Sequence, residues 1–155
     1  MGLWLYLACY CKNCHNPQTW NFNSGKLFDD KAKNELFEAL NKPYIQGITF
    51  SGGHPLEDEN IECVYNLILE IKDKLHNKDI WLYTGYKFED IINDPEENIT
   101  TIIRRKTISM CDVIVDGPYI EEQRDITLRF AGSRNQRLID VKESIRQNKI
   151  ITIQN

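Results

Sequence analysis

No apolar run in this sequence approaches the roughly 18 residues that a membrane-spanning helix requires. The N-terminal run Leu3-Trp-Leu-Tyr-Leu-Ala8 is short and has neither a basic flank nor a small-residue cleavage site. Neither a membrane partner nor a signal peptide is therefore expected. Basic charge is not in excess: 19 Lys and Arg stand against 23 Asp and Glu, a net charge of -4 at pH 7. That balance argues against a general nucleic-acid binder. A secreted disulfide framework is lacking too, because the five cysteines are odd in number and unevenly placed. A reducing cytoplasm is the expected setting. There is no internal repeat and no low-complexity linker. What is present is a chain of 155 residues, 41% hydrophobic and 27% charged, which reads as one globular domain with a real core.

The charge is unevenly spread. Residues 26–98 carry 8 Lys/Arg against 16 Asp/Glu, whereas residues 104–149 carry 10 against 7. Two differently solvated faces are the favoured explanation. The sharper one is a basic C-terminal third that docks an acidic partner or a phosphate-bearing ligand.

Along the chain, the apolar run Leu3 to Ala8 reads as a buried strand, and Asn23-Ser-Gly25 as a turn. Asp29 and Asp30 open a helix to about Lys42, with Ala32, Leu36, Phe37 and Leu40 on one face and Pro43 as its stop. Ile45 to Phe50 reads as a strand. Asp58 to Leu75 reads as a long helix, with Ile61, Val64, Leu67, Ile68, Ile71 and Leu75 at helical spacing. Ile80 to Thr84 is a third strand, Phe88 to Ile92 a short helix, and Pro95 to Met110 holds one more. Val113-Ile-Val115 is a fourth strand. Beyond it the pattern gives a strand near Leu128, a polar turn at Gly132-Ser133, a helix near Asp140 to Gln147 and a last strand near Ile150 to Ile153.

Strands and helices alternate, and the strands are continuous apolar runs. Both features predict an α/β fold with a parallel sheet covered by helices. Ligands in such folds bind where the loops leave the carboxyl ends of the strands. Here those loops are the cysteine-rich stretch, Ser51-Gly-Gly-His-Pro55, Thr84-Gly-Tyr86 and Asp116-Gly-Pro118. The unusual chemistry of the sequence thus falls on one rim.

Three of the five cysteines, Cys9, Cys11 and Cys14, lie within six residues. Thiolates so close together make a soft-metal site, a redox site or a coincidence. Three are one short of closing a four-iron cluster, which leaves one iron open to an outside ligand. A zinc site of Cys9, Cys11, Cys14 and His15 is the main alternative, although adjacent Cys14 and His15 would strain to reach one tetrahedral ion. A redox dithiol, Cys11-Lys-Asn-Cys14, would leave Cys9 and the glycine loop unexplained. Cys63 and Cys111 read as small core residues. Gly52-Gly53 could simply turn the chain, but a glycine pair also lets the backbone approach the amino or carboxylate group of a small ligand. His54 reads as structural rather than catalytic.

Cys14-His-Asn-Pro-Gln-Thr-Trp20 and Gly47-Ile-Thr-Phe-Ser-Gly-Gly-His-Pro-Leu56 resemble the radical S-adenosylmethionine superfamily. More narrowly, the chain resembles the activating proteins of anaerobic ribonucleoside-triphosphate reductase. Asp79-Ile-Trp-Leu-Tyr-Thr-Gly-Tyr86, Cys111-Asp-Val-Ile-Val-Asp-Gly117 and Gly132-Ser-Arg-Asn-Gln-Arg137 match in the same order. The resemblance runs from Cys9 to about Asn148. It implies an open partial (β/α) barrel, mostly parallel and flanked by helices, that fills residues 1–155 as a single domain with an N-terminus shortened relative to the family.

The same resemblance implies a [4Fe–4S] cluster on three cysteines, with S-adenosylmethionine bound at the open iron. Reductive cleavage gives a 5′-deoxyadenosyl radical that makes a glycyl radical on the large reductase subunit. An electron donor such as a flavodoxin or ferredoxin is implied as a second partner. Residue by residue, Cys11 and Cys14 match the last two cluster ligands, Asn13, Cys14 and His15 line the cofactor, and Gly52 and Gly53 receive its methionine amino end. Asp116, Gly117 and Arg134-Asn-Gln136 match motifs without an assigned step. The family spaces its ligands Cys-x3-Cys-x2-Cys, whereas this chain has Cys-x-Cys-x2-Cys. Counting back from Cys11 reaches Leu7, which cannot bind iron. A loop two residues shorter makes Cys9 the first ligand, with Ala8 in place of a glycine, and keeps three thiolates. A degenerate activator that docks the reductase without radical chemistry is the alternative that this spacing raises.

Overall fold

The computed structural model describes residues 2–6 and 28–154. Among the described residues six strands form one sheet in sequence order: β1 (Gly2–Tyr6), β2 (Gly47–Ser51), β3 (Asp79–Tyr83), β4 (Val113–Asp116), β5 (Arg137–Asp140) and β6 (Thr152–Ile153). The helices are α1 (Asp30–Leu40), α2 (Asp58–Lys74), α3 (Phe88–Ile92), α4 (Ile99–Met110) and α5 (Val141–Gln147). Asp29, Asn98 and Asp140 cap α1, α4 and α5 by accepting backbone N–H bonds from the residue three further on, which satisfies donors that the first turn leaves without partners.

The α/β expectation holds, and the sheet corrects one part of it. β1 to β4 are parallel, but β4–β5 and β5–β6 are antiparallel, so the sheet is mixed rather than mostly parallel. For β4–β5 the cause lies in the connection. Parallel neighbours need a crossover helix, and residues 117–136 between β4 and β5 contain a single 3₁₀ turn, Glu121–Gln123. No strand forms near Leu128. That stretch turns, with an isolated bridge between Arg124 and Ser133, and the strand comes later, at Arg137–Asp140.

Alternation along the strands divides the core. Ile48 and Phe50 of β2, Ile80 and Leu82 of β3, Ile114 of β4 and Ile139 of β5 join apolar side chains from all five helices. The opposite face carries Val113, Val115 and Leu138, packed by Trp81, Tyr83, Phe130 and Ala131. Among the described residues the helices therefore cover one face, and the loop after β4 serves the other. On α2 the buried stripe is Ile61, Val64, Leu67, Ile68 and Ile71. Cys63 is exposed, not a core residue as expected, because two residues past Ile61 a helix has turned about 200°. Cys111 is fully buried, and burial pushes its thiol well above the usual range.

Among the described residues no helix is long and apolar enough to cross a membrane. The basic C-terminal third is largely matched within the chain. Arg104, Arg105, Arg124, Arg134, Arg137, Lys142 and Arg146 each lie within 4.0 Å of a carboxylate.

Candidate functional site

Because β1 to β4 run parallel, their carboxyl ends meet on one rim. Tyr6 pairs with Ser51, so the chain leaves β1 beside Ser51-Gly52-Gly53. Gly52, Gly53 and His54 are all left-handed, with φ of 68°, 46° and 52°. A single turn of that hand is open to glycine and disfavoured for other residues. Gly53 is buried and Gly52 half-buried. From the first turn of α2, Asn60 Nδ2 donates to the carbonyls of Gly53, at 2.9 Å, and His54, at 3.3 Å.

The next loop, after β3, is joined to this turn. His54 Nε2 accepts the Gly85 N–H at 2.9 Å, and the His54 ring meets Tyr86 edge-on at 4.3 Å between centroids. The Tyr86 hydroxyl donates to Glu57 Oε1 at 2.9 Å. Burial, reinforced by the Glu57 carboxylate, pushes the phenol up to about 12. Arg104 of α4 donates through Nε to the Leu56 carbonyl at 2.7 Å and lies 5.6 Å from the centre of the Tyr86 ring. Glu57, Tyr86 and Arg104 thus brace the turn without entering it.

The end of β4 is built around Asp116, which is fully buried. One carboxylate oxygen accepts the Phe88 N–H at the start of α3 at 2.9 Å, and both accept from Arg137 of β5. Arg137 also grips Glu89 through Nη1 and Nη2 at 2.9 and 2.6 Å. These hydrogen bonds hold the Glu89 carboxyl down at about 2. They raise the guanidinium above its ordinary value, Glu89 first and Asp116 second. Gly117 is left-handed, φ 92°, and its carbonyl accepts from Gln136 Nε2 at 3.1 Å while Asn135 Nδ2 donates to the Pro118 carbonyl at 2.7 Å. The Gly132-to-Arg137 motif is therefore a clamp on the loop that follows β4.

Of the expected site residues, the structure places Gly52 and Gly53 on the rim. Cys9, Cys11, Asn13, Cys14 and His15 lie outside the described residues. Among the described residues no group of three or more His, Cys, Asp or Glu side chains could hold a metal ion. Asn60 and Glu57 were missed at the level of sequence. Each acts across a turn whose shape no local pattern encodes, and nothing in the apolar periodicity of residues 57–74 separates them from the other polar residues of that stretch.

The chain matches the family described as "4Fe-4S single cluster domain" over residues 6–139. It is 41% identical over 128 residues to the anaerobic ribonucleoside-triphosphate reductase-activating protein of Enterobacteria phage T4, covering 83% of this chain and 74% of that protein. The proteins of the same name from Haemophilus influenzae and Escherichia coli K12 are 37% and 32% identical, each over 81% of this chain and 77% of the relative. No solved structure matches the chain.

Proposed function

This chain belongs to the family of anaerobic ribonucleoside-triphosphate reductase-activating proteins, and from that membership we propose that it installs a glycyl radical on the large subunit of the reductase. The whole chain is taken as one radical S-adenosylmethionine domain in a reducing cytoplasm, with a flavodoxin or ferredoxin as electron donor. Helices on a single face of the sheet support curvature into a partial barrel.

The observation that carries the reading is the pairing of Tyr6 with Ser51. It sets Tyr6, the last described residue before the cysteines, beside the strand end that opens into the left-handed glycine turn. The donor set fits the cofactors. Cys9, Cys11 and Cys14 are soft thiolates of the kind that hold iron–sulfur clusters, and Gly52 offers backbone without a side chain at the rim. When bound, a [4Fe–4S] cluster on Cys9, Cys11 and Cys14 would supply the electron for reductive cleavage of S-adenosylmethionine, the chemistry by which a glycine of the reductase would lose a hydrogen atom. The chain's own residues bind and orient. Gly52 and Gly53 receive the methionine end, Asn60 fixes the carbonyls behind them, and Asn13 and His15 line the cofactor from the cysteine loop.

Anaerobic reconstitution with iron and sulfide tests this directly. We expect a reduced, EPR-active cluster and release of 5′-deoxyadenosine. Iron uptake no greater than that of the Cys11→Ala, Cys14→Ala double variant would sink the enzymatic reading. The Cys-x-Cys-x2-Cys spacing favours one second reading, an activator that docks the reductase without radical chemistry. Co-purification with the reductase at background cleavage would select it. Stoichiometric zinc without iron after anaerobic isolation would instead select a zinc protein.

A further inference from the structure

The glycine turn ends in a residue to which the function above gives no task. His54 carries a left-handed φ of 52°, a conformation that costs a residue with a Cβ. Only 11% of its side chain is exposed. Nε2 accepts the Gly85 N–H at 2.9 Å and lies 3.3 Å from Thr84 Oγ1. An accepting Nε2 assigns the ring proton to Nδ1. Nδ1 is buried and has no hydrogen-bond partner among the described residues, since Glu57 Oε1 stands off at 3.5 Å and already takes the Tyr86 hydroxyl. Burial, the leading cause, and Arg104 lower the basicity of the ring against the pull of Glu57, so the imidazole is neutral near pH 7.

A strained backbone and a buried donor with no partner among the described residues are two costs on one residue. The visible return is the bond to Gly85, which joins the end of β2 to the end of β3. With Asn60 holding the carbonyls of Gly53 and His54 from the α2 side, the turn is fixed from both directions. Gly52 is then the more accessible of its two glycines.

We propose that His54 is a positioning residue for S-adenosylmethionine: as the Nδ1–H tautomer it staples the Gly52-Gly53 turn to Gly85, so that Gly52 meets the methionine end of the ligand in one conformation. This rests on Gly52 and Gly53 being the cofactor-binding pair.

Two variants separate the staple from mere folding. His54→Asn tolerates a left-handed φ but is too short to reach Gly85, whereas His54→Gln carries a carbonyl oxygen far enough out to accept the same N–H. Binding of S-adenosylmethionine to the iron-loaded full chain is measured by equilibrium dialysis, beside the kinetics of its cleavage. For H54N we expect an approximately tenfold weaker Kd and a matching rise in KM, as for the loss of one well-placed hydrogen bond. Its kcat at saturation and its iron content should stay at wild-type values, and H54Q should recover most of the affinity. Unchanged affinity in H54N, a fall in kcat at constant KM, or no rescue by H54Q overturns the role of His54 while leaving the function standing. Wild-type protein that takes up iron yet binds no S-adenosylmethionine overturns both. A further readout needs no ligand: ¹⁵N shifts of the His54 ring should show a protonated Nδ1 and an accepting Nε2, and the reverse tautomer removes the staple.

Discussion

The two ends of the parallel strands are built on opposite principles. At the amino end polar groups are matched and the backbone is relaxed. Lys78 is buried, and its Nζ donates to the carbonyls of Lys42 and Ile45 at 3.0 and 2.6 Å. Asp112 accepts from the Ile80 N–H at 2.8 Å and from Lys72 and Lys142 at 3.1 and 2.5 Å. Burial alone would raise its carboxyl, but these three donors outweigh it and hold the group below the ordinary range. At the carboxyl end the chain accepts left-handed Gly52, Gly53, His54 and Gly117 and a buried imidazole N–H that has no hydrogen-bond partner among the described residues. Left-handed backbone gathers where loops carry chemistry, beside the matched group of Asp116, Arg137 and Glu89 at the same end.

Paired glycine substitutions should break or confirm this contrast most sharply. A Cβ on Gly47, at the amino end, would lie 2.0 Å from the Asp79 carbonyl oxygen. That neighbour is backbone in the β2–β3 ladder and cannot move without separating the strands. Gly47→Ala should cost about 4 kcal/mol or more, or prevent folding. On Gly85, at the carboxyl end, a Cβ would meet His54 Nε2 at 3.3 Å, a side-chain atom that can withdraw. Gly85→Ala should cost less than about 1 kcal/mol, yet weaken S-adenosylmethionine binding by displacing His54. Urea denaturation of both variants checks the pair, and equal losses of stability would erase the contrast.

The acidic residues that flank β4 come next. Asp116 is fully buried and joins α3, β4 and β5 through the Phe88 N–H and Arg137. Asp116→Ala leaves that N–H without an acceptor and breaks a buried charge pair, so a loss of about 3 kcal/mol is expected. Asp112 has three donors, but its side chain is 17% exposed and both lysines reach it from solvent. Asp112→Asn keeps a carbonyl for Ile80 and should cost only about 1 kcal/mol. Denaturation midpoints at pH 7 rank the two, and a larger loss at Asp112 would show the amino end to be the more dependent on charge.

How much of this is legible in the sequence depends on sequence distance. The period of apolar residues locates α2, α3 and β2 to β4 to within a residue or two, because each pattern is contained in its own segment; the expected end of β1 at Ala8 lies outside the described residues. It fails at β5, where Leu138 and Ile139 are the only apolar residues of a four-residue strand. Strand direction is not written in side chains at all. It follows from what the 117–136 connection lacks, a helix. The glycine turn was readable because two adjacent glycines after a strand have few other uses. Its supports were not: His54 reaches Gly85 across 31 positions and Arg137 reaches Glu89 across 48. Neither pair leaves a local pattern. Cys63 shows the opposite error, a small apolar residue assigned to the core by type when its helical angle already turned it outward.

The smallest predicted effect concerns pH and separates the two ends by their titrating groups. The His54 ring meets Tyr86 of the β3 loop edge-on, lies 3.5 Å from Glu57 before α2 and feels the positive charge of Arg104 on α4. Burial first, opposed by Glu57 and aided by Arg104, lowers its pKa below 6.5. Above pH 6.5 the ring is neutral in both folded and unfolded chains and stability does not depend on it. As pH falls below 6.5 the unfolded chain takes up a proton that the folded chain refuses, so folding stability declines until the lowered folded value is reached. Protonation would also convert Nε2 from acceptor to donor and break the bond to Gly85. Asp112 and Glu89 are ionised throughout this interval. Glu89 loses its contribution only between about 4.5 and about 2, and Asp112 also titrates below its ordinary value of 3.8. Urea midpoints from pH 8 to pH 5, for wild type and His54→Asn, isolate the imidazole by difference. The wild-type curve should bend downward below pH 6.5 and the variant curve should bend less. Parallel curves would mean that the ring titrates alike folded and unfolded, and that the carboxyl rim is no more sensitive to mild acid than the carboxylate-bound amino end.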